Sequence, residues 1–378
     1  MRVLRDLKVI ELLLQTLALG FTLAVLLFLI GTARARMQAQ GIPFSFGFLQ
    51  QEAGFSLSEG ITWVPGEGLR PYGPTDTYTQ AFLAGFLNTL RVVVGGLVLA
   101  TLLGFVVGIA RLSSHPLARG LALAYVELVR NTPLLLQLFV WYFAVLLKLP
   151  PVEQALRLFG AVLSKQGLFL PWPRLSSVWG EFQAFFWGGV LLLAVGLALR
   201  RGWYGMVAMA LVWGAGVVLG GLPLVVEFPV RTSFGLRGGL ELSPEFAALL
   251  FGLVVYTASF IAEIVRGAVL AVPRGQWEAA RALGLSAPQV LRWIILPQAI
   301  RIVLPPLANQ YLNLTKNSSL AVAVGFPDLF SVYNTIANQS GRSLEGIVIV
   351  MGVYLVVSLS ISALVNLYNR RVALRWGV

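Results

Sequence analysis

The pattern of hydrophobic and polar positions divides the chain into long apolar runs separated by polar segments. A bilayer core of roughly 30 Å takes about 20 apolar residues in a helix, and each backbone polar group in lipid has to be satisfied within its own segment. The pattern therefore predicts an all-α, polytopic transmembrane helical bundle of about eight spans. The predicted spans cover residues 9–30, 81–110, 133–147, 185–199, 206–226, 246–272, 305–326 and 346–367.

Composition agrees with this pattern and excludes several kinds of chemistry. Hydrophobic residues make up 57% of the chain and charged residues 12%, which is far more apolar than a soluble domain. The net charge of +12 does not indicate a nucleic-acid partner here, because basic residues hold membrane loops inside the cell. The chain has no cysteine and one histidine, so thiolate and multi-histidine metal sites are excluded.

Basic residues near the span ends set the predicted orientation. They cluster in alternate loops, as eight spans require, although the opposite loops also carry some basic residues over longer stretches. Both termini and the loop 272–304 are therefore predicted to be cytoplasmic. Residues 37–79 and 149–180 are predicted to lie outside, and the former has the Gly, Pro and Ser content of a water-exposed connection.

The first apolar run has an alternative interpretation as a cleaved signal. Ala33-Arg34-Ala35 follows it and is superficially similar to a signal-peptidase site. However, the run exceeds the 7 to 15 residues of a typical signal core. An uncleaved first span is therefore favoured.

A helix-glycine-helix elbow is predicted inside the loop 272–304. Residues 277–283 favour a short helix, with Glu278 in its first turn and Gly284 placed for a left-handed closing conformation. Ser286 is a predicted N-cap, with Gln289 three residues later completing a capping box, and the second helix is predicted to run to Pro297. From these residues alone, the elbow could equally be an interfacial connector.

The same loop resembles the EAA loop of bacterial binding-protein-dependent ABC importer permeases. The motif positions that match are Glu278-Ala279-Ala280, Gly284, Ile294 and Leu296-Pro297. In that family the short helix is a coupling helix seated in a groove of the ATP-binding subunit. The resemblance implies that the residues docking on the ATPase are Glu278, Ala279, Ala280, Leu283 and Gly284.

Flanking segments look like the polar amino acid permeases of the histidine and glutamine type. The segments that carry this resemblance are 130–137, 256–267, 297–299 and 316–320. The match implies a type I ABC importer permease core, and the longer layout resembles the larger permeases of general L-amino acid systems. It divides the chain into an N-terminal span and periplasmic loop, the first part of the core, an inserted segment with two extra spans, and the second part of the core. These parts are residues 1–80, 81–147, 148–244 and 245–378.

The resemblance also implies partners. No G-x-x-x-x-G-K-S/T phosphate loop occurs in the sequence, so ATP hydrolysis is assigned to a separate subunit and no cofactor to this chain. The expected partners are an ATP-binding cassette dimer, a second, related permease chain and a periplasmic amino-acid-binding protein. The implied function is import of amino acids across the bacterial inner membrane by alternating access.

Two groups of polar residues within predicted spans are candidates for the substrate path. Glu263 and Arg266 lie three apart on one helix face, where a pathway role competes with an internal ion pair and snorkelling of the arginine. The second group interrupts an apolar stretch, and its alternative role is hydrogen bonding between helices. This group is Lys316, Asn317, Ser318 and Ser319.

Two other classes of protein compete with the importer. A secondary transporter could use internal charges such as Glu263 for ions, but it does not account for the EAA spacing. A membrane enzyme would need paired carboxylates, a nucleophile motif or a metal cluster, and none is recognisable.

The predicted orientation can be tested on this cysteine-free chain. A cysteine introduced at Ser286 should react with a membrane-impermeant maleimide only in inside-out vesicles, because the elbow is predicted to be cytoplasmic. Labelling of the same cysteine from the periplasmic side would contradict both the orientation and the coupling assignment.

Overall fold

The computed structural model describes residues 7–39, 44–233 and 235–375, and helices dominate these ranges. Seven of the described helices are long and apolar enough to cross a membrane, and an eighth span is obtained if one bent pair counts as a span. The predicted helical bundle of about eight spans is confirmed. The helices are α1 (Leu7–Ala39), α2 (Tyr78–Arg111), α3 (Pro116–Arg130), α4 (Leu134–Phe139), α5 (Trp179–Ala198), α6 (Gly202–Gly220), α7 (Pro244–Leu270), α8 (Arg274–Ala282), α9 (Ala287–Gln289), α10 (Leu296–Asn317), α11 (Leu329–Ser340) and α12 (Ser343–Arg375).

The predicted span 133–147 is only the second half of a bent pair. α3 and the helical run Leu134–Lys148, which passes through π and 3-10 turns, meet at 105°. The break leaves carbonyl groups without helical partners. Gln137 Nε2 satisfies two of them, at 2.9 Å from the oxygen of Val129 and 3.0 Å from that of Thr132. The buried side-chain amide of Gln137 thus stabilises the bend.

The central helix pair is α2 against α7. Where α2 crosses α7 it carries Gly104 and Gly108. A Cβ on Gly104 would lie 2.6 Å from the Cβ of Ile261, and a Cβ on Gly108 would lie 2.8 Å from the Cβ of Val265. Small residues allow this close backbone approach, which is the main source of helix association in lipid. About 67% of the α7 span is buried within the chain, more than in any other described span.

The N-terminal half of α2 is hydrogen-bonded to the segment before α11. The hydroxyl of Thr89 accepts a hydrogen bond from the backbone N–H of Leu329 at 3.0 Å. Asn88, which is fully buried, donates to the carbonyls of Pro327 at 2.9 Å and Glu59 at 3.1 Å. The buried amide of Asn88 and the buried hydroxyl of Thr89 therefore each have a partner, as burial requires.

Short antiparallel strands occupy segments between the spans, and periodicity did not predict them. One sheet has the order β10-β5-β4-β3, and three further pairs are β1-β2, β6-β7 and β8-β9. The predicted span 206–226 was too long at its C-terminal end, because residues 224–227 form a strand. The strands are β1 (Ile61–Val64), β2 (Gly68–Pro71), β3 (Leu156–Leu158), β4 (Ala161–Ser164), β5 (Gly167–Leu170), β6 (Trp172–Leu175), β7 (Leu224–Glu227), β8 (Val230–Thr232), β9 (Gly235–Arg237) and β10 (Leu240–Leu242).

The helices α5 and α6 form a hairpin that packs chiefly on itself. Only 17% and 11% of these two spans are buried within the chain. Their contact again depends on glycine: a Cβ on Gly196 would lie 2.6 Å from the Cα of Gly205, and one on Gly189 would lie 2.5 Å from the indole nitrogen of Trp213. The rest of the hairpin surface is available to lipid.

The α2–α7 contact generates a stability prediction. Gly104→Leu should lower the free energy of unfolding by about 1–3 kcal/mol or more, because the side chain has to displace Ile261. Leucine is a good helix former, so helix propensity opposes the loss. Gly120→Leu on α3 is the matched control, since a Cβ there meets nothing within 4 Å. Thermal unfolding followed by size-exclusion chromatography measures both, and equal melting temperatures would contradict the packing argument.

Candidate functional site

The predicted elbow is present, with shifted boundaries. α8 begins at Arg274, three residues earlier than predicted, so Glu278 lies in the middle of the helix and not in its first turn. Leu283 is the C-cap, and Gly284 follows with a φ of +76°. Ser286 is the N-cap of α9, and its backbone N–H donates to Gln289 Oε1 at 2.8 Å. The second helix does not end near Pro297 but continues through a π-helical turn into α10.

Four of the five predicted docking residues are exposed, and one is not. Glu278, Ala279, Leu283 and Gly284 face outward, and the side chain of Leu283 is 80% exposed. Ala280 is only 3% exposed, and its small side chain faces the core of this chain. A docking role for Ala280 stays a prediction.

Ala280 anchors the elbow to the spans. It belongs to one hydrophobic cluster with Val272, Val290, Ile295 and Ala299. These residues lie just after α7, in the π-helical turn and at the start of α10. The outer surface of α8 is therefore presented on a base that is continuous with two membrane helices.

Glu263 lies between two arginines. Arg266 donates from Nε at 3.0 Å and from Nη2 at 2.5 Å to one carboxylate oxygen, and Arg111, at the end of α2, donates to the other. The intrahelical ion pair weighed for Glu263 and Arg266 is present and extends to a second helix. Arg130 stacks its guanidinium 5.0 Å from the ring centre of Phe260, one turn away on α7.

The polar segment at the end of α10 is partly buried and partly lines a cavity. The hydroxyls of Ser318 and Ser319 donate to the carbonyls of Thr315 and Lys316, at 2.7 Å and 2.8 Å. Ser318 is fully buried and Asn317 half-buried. Lys316 and Ser319 line an open cavity of about 660 Å³. The remaining lining residues come from α11 and α12 and include Phe330, Met351, Tyr354 and Ser358.

The structure does not bring the two candidate groups together. Leu253 on α7 packs in the same cluster as Leu320 and Ala321, just beyond Ser319. Glu263 lies ten residues further along α7, which corresponds to about 15 Å at 1.5 Å per residue. The two groups therefore belong to different levels of the bundle.

A buried carboxylate that the sequence interpretation missed lies beside the cavity. Asp328 is fully buried and caps α11, accepting from the backbone N–H of Ser331 at 2.8 Å. Its other oxygen lies 3.4 Å from the hydroxyl of Tyr354, which lines the cavity. Asp328 directly before an amphipathic helix was a recognisable N-cap signal.

The fold and the exposed elbow identify a class of membrane transport subunit. The chain belongs to the family of inner membrane components of binding-protein-dependent transport systems, whose model matches residues 96–374. Within that family it is similar to amino-acid ABC transporter permeases along nearly its whole length.

Three relatives show the extent of this similarity. The amino-acid ABC transporter permease protein YhdX of Escherichia coli is 43% identical, over 95% of this chain and 93% of the relative. The general L-amino acid permease protein AapQ of Rhizobium johnstonii is 42% identical, over 87% and 84%. The glutamate/glutamine/aspartate/asparagine permease protein BztB of Rhodobacter capsulatus is 35% identical, over 96% and 93%. The chain is thus a membrane-embedded ABC importer permease and not a secondary transporter.

The ion cluster generates a prediction about stability. Glu263→Gln should lower the free energy of unfolding by about 1–3 kcal/mol, because Arg111, which is only 12% exposed, loses its partner in a region of low dielectric. Glu127→Gln on α3 is the control, since Glu127 is exposed. Thermal melting in detergent measures both. A loss for Glu127→Gln as large as that for Glu263→Gln would show that the cluster has no special role.

Proposed function

We propose that this chain is the membrane-spanning subunit of an ATP-driven amino acid importer and that the outer surface of α8 and Gly284 docks on an ATP-binding partner. The observation that carries the proposal is the exposed elbow on a buried base: Leu283 is 80% exposed while Ala280 is 3% exposed. The buried base fixes the exposed surface of α8 against residues that flank or belong to the membrane helices, which supports a docking role for that surface. Amino acids are the proposed substrates because the relatives are amino-acid permeases.

Gly284 is the position where an incoming subunit can approach most closely. A Cβ built there meets no heavy atom of this chain within 4 Å, so nothing in the permease itself excludes a side chain. The positive φ of +76° favours glycine for conformational reasons. Because Gly284 has no side chain, the ATPase could pack directly against its backbone beside Leu283.

The proposed assembly follows the family arrangement. ATP is bound and hydrolysed by a separate pair of ATP-binding subunits, and a soluble periplasmic binding protein delivers the amino acid. The second membrane subunit is proposed to be a different, related permease, with both termini of this chain in the cytoplasm. This chain is assigned no cofactor.

Lys316 and Ser319 are the proposed contacts for substrate on the translocation path. Both line the cavity beside α11 and α12, and an ammonium group within a membrane span is costly unless it meets water or a partner. A carboxylate of a passing amino acid would supply that partner. Asn317 and Ser318 support the irregular backbone behind them, whereas Glu263 and Arg266 are already engaged with each other and with Arg111.

Alternating access links these sites. Closure of the ATPases on ATP draws the coupling helices together, and the cavity opens outward to receive substrate. Opening of the ATPases after hydrolysis reverses this movement. Because α8 follows α7 after three residues, a displacement of α8 is passed directly to the most buried span.

The coupling assignment is tested at Gly284. Gly284→Val should leave the protein in the membrane but reduce both co-purification of the ATPase and substrate-stimulated ATP hydrolysis. A β-branched residue at positive φ costs about 1–2 kcal/mol or more locally, and added volume at a packed interface commonly costs about 1–3 kcal/mol. Together these losses correspond to at least a tenfold weaker association.

Arg292→Ala is the control for this experiment, because Arg292 is exposed on the helical segment that follows the elbow. It should change association much less than Gly284→Val. If Gly284→Val retained full ATPase association and full stimulation in reconstituted membranes, the elbow would be an ordinary connector between spans.

A further inference from the structure

The β6–β7 ribbon in the inserted segment has no covered face. Its register runs from Trp172 opposite Glu227 to Leu175 opposite Leu224, and every residue except Glu227 is exposed. An isolated two-stranded ribbon is at best marginally stable in water. The exposed side chains are nevertheless mostly apolar, and both faces of the ribbon carry them.

The β1–β2 ribbon shows how this chain holds a ribbon of the same size by internal contacts. Thr62 on β1 is fully buried and donates to the carbonyl of Gln80 on α2 at 3.1 Å. Arg70 on β2 donates to both carboxylate oxygens of Asp76, at 2.6 Å and 3.0 Å. Burial alone would raise the pKa of Asp76, but hydrogen bonds from Arg70 and the Gly73 N–H lower it. The described contacts of β6–β7 include no such anchoring to a helix face.

The position of β6–β7 indicates what covers it. Three residues separate β6 from α5, and three separate α6 from β7. At 1.5 Å per residue the 20-residue α5 and the 19-residue α6 each span about 30 Å, the thickness of a bilayer core. The ribbon therefore begins where the hydrocarbon ends, in the layer where Trp side chains are enriched.

An apolar crevice lies where the ribbon meets the helix hairpin. It has a volume of about 360 Å³ and opens between α5 and α6 beneath β6 and β7. No lining residue carries a charge. The lining residues are Leu175, Trp179, Phe182, Phe186, Trp213, Gly214, Val217, Pro223 and Leu224. An uncharged crevice at the end of a span suits an acyl chain better than water, because its apolar lining offers water few hydrogen-bond partners.

We propose that the β6–β7 ribbon and this crevice form a phospholipid-binding surface. The ribbon lies in the headgroup layer of the leaflet opposite the Arg200–Arg201 turn, and the crevice takes one acyl chain of a phospholipid from that leaflet. The inserted segment thereby contacts lipid on the ribbon as well as on the helices. This proposal does not depend on the coupling role of α8.

Spin labelling tests the position of the ribbon. The full chain is reconstituted in phosphatidylcholine/phosphatidylglycerol nanodiscs and carries a nitroxide at Val225→Cys or at Leu69→Cys. For each nitroxide, the accessibility to oxygen is divided by the accessibility to a water-soluble nickel complex. This ratio should be at least several-fold higher at Val225→Cys than at Leu69→Cys. The two residues are 54% and 66% exposed, and each lies on a four-residue strand. Equal nickel accessibility at the two positions would overturn the membrane placement.

A second pair of variants tests the crevice. Gly214→Phe places a ring in the crevice and should reduce by one the number of phospholipids retained in native mass spectrometry. Gly180→Phe at the start of α5 is matched, because a Cβ at either glycine meets nothing within 4 Å and Gly180 does not line the crevice. Identical lipid retention in the two variants and the parent chain would overturn the acyl-chain site.

Discussion

Close packing of α2 on α7 is the contact on which the rest of the structure depends. In lipid there is no hydrophobic driving force between apolar helices, because lipid tails are as apolar as the side chains. Helices therefore associate where small residues let their backbones pack closely. Gly104 and Gly108 provide that approach. The same pair of helices then fixes the Arg111–Glu263 contact at one end and, through Thr89, the backbone of Leu329 at the other.

The elbow is packed directly onto this helix pair. Ala280 belongs to the cluster that also contains Ile261 and Val265 of α7, so the base of α8, the proposed coupling helix, and the α2–α7 contact form one packed unit. A force applied to the exposed side of α8 therefore reaches the bundle through side-chain contacts. A flexible connector would absorb the same force in its backbone.

Local signals in the sequence predicted the features that depend on neighbouring residues. Apolar runs gave the spans, and the Gly284 and Ser286 signals gave the turn and the capping box of the elbow. They did not give features that depend on distant residues. Arg111 and Glu263 are 152 positions apart, and the inward orientation of Ala280 depends on how α8 packs against Ile295.

The β strands were missed for a related reason. Segments such as β6 and β7 are short and are exposed on both faces, so no alternation of apolar and polar residues marks them. Leu224, Val225 and Val226 instead extended an apolar run that began within α6, and they were assigned to that span. An apolar sequence indicates contact with lipid or core but does not distinguish a helix end from an interfacial strand.

The central claim is that this chain transports only as part of an ATP-driven assembly. Uptake of radiolabelled amino acid into proteoliposomes measures it most directly, with the chain alone or with its second permease, ATPase and binding protein. We predict uptake only with the complete assembly and ATP on the side that carries the ATPase, unaffected by proton or sodium gradients. Gradient-driven uptake by the chain alone would contradict the account.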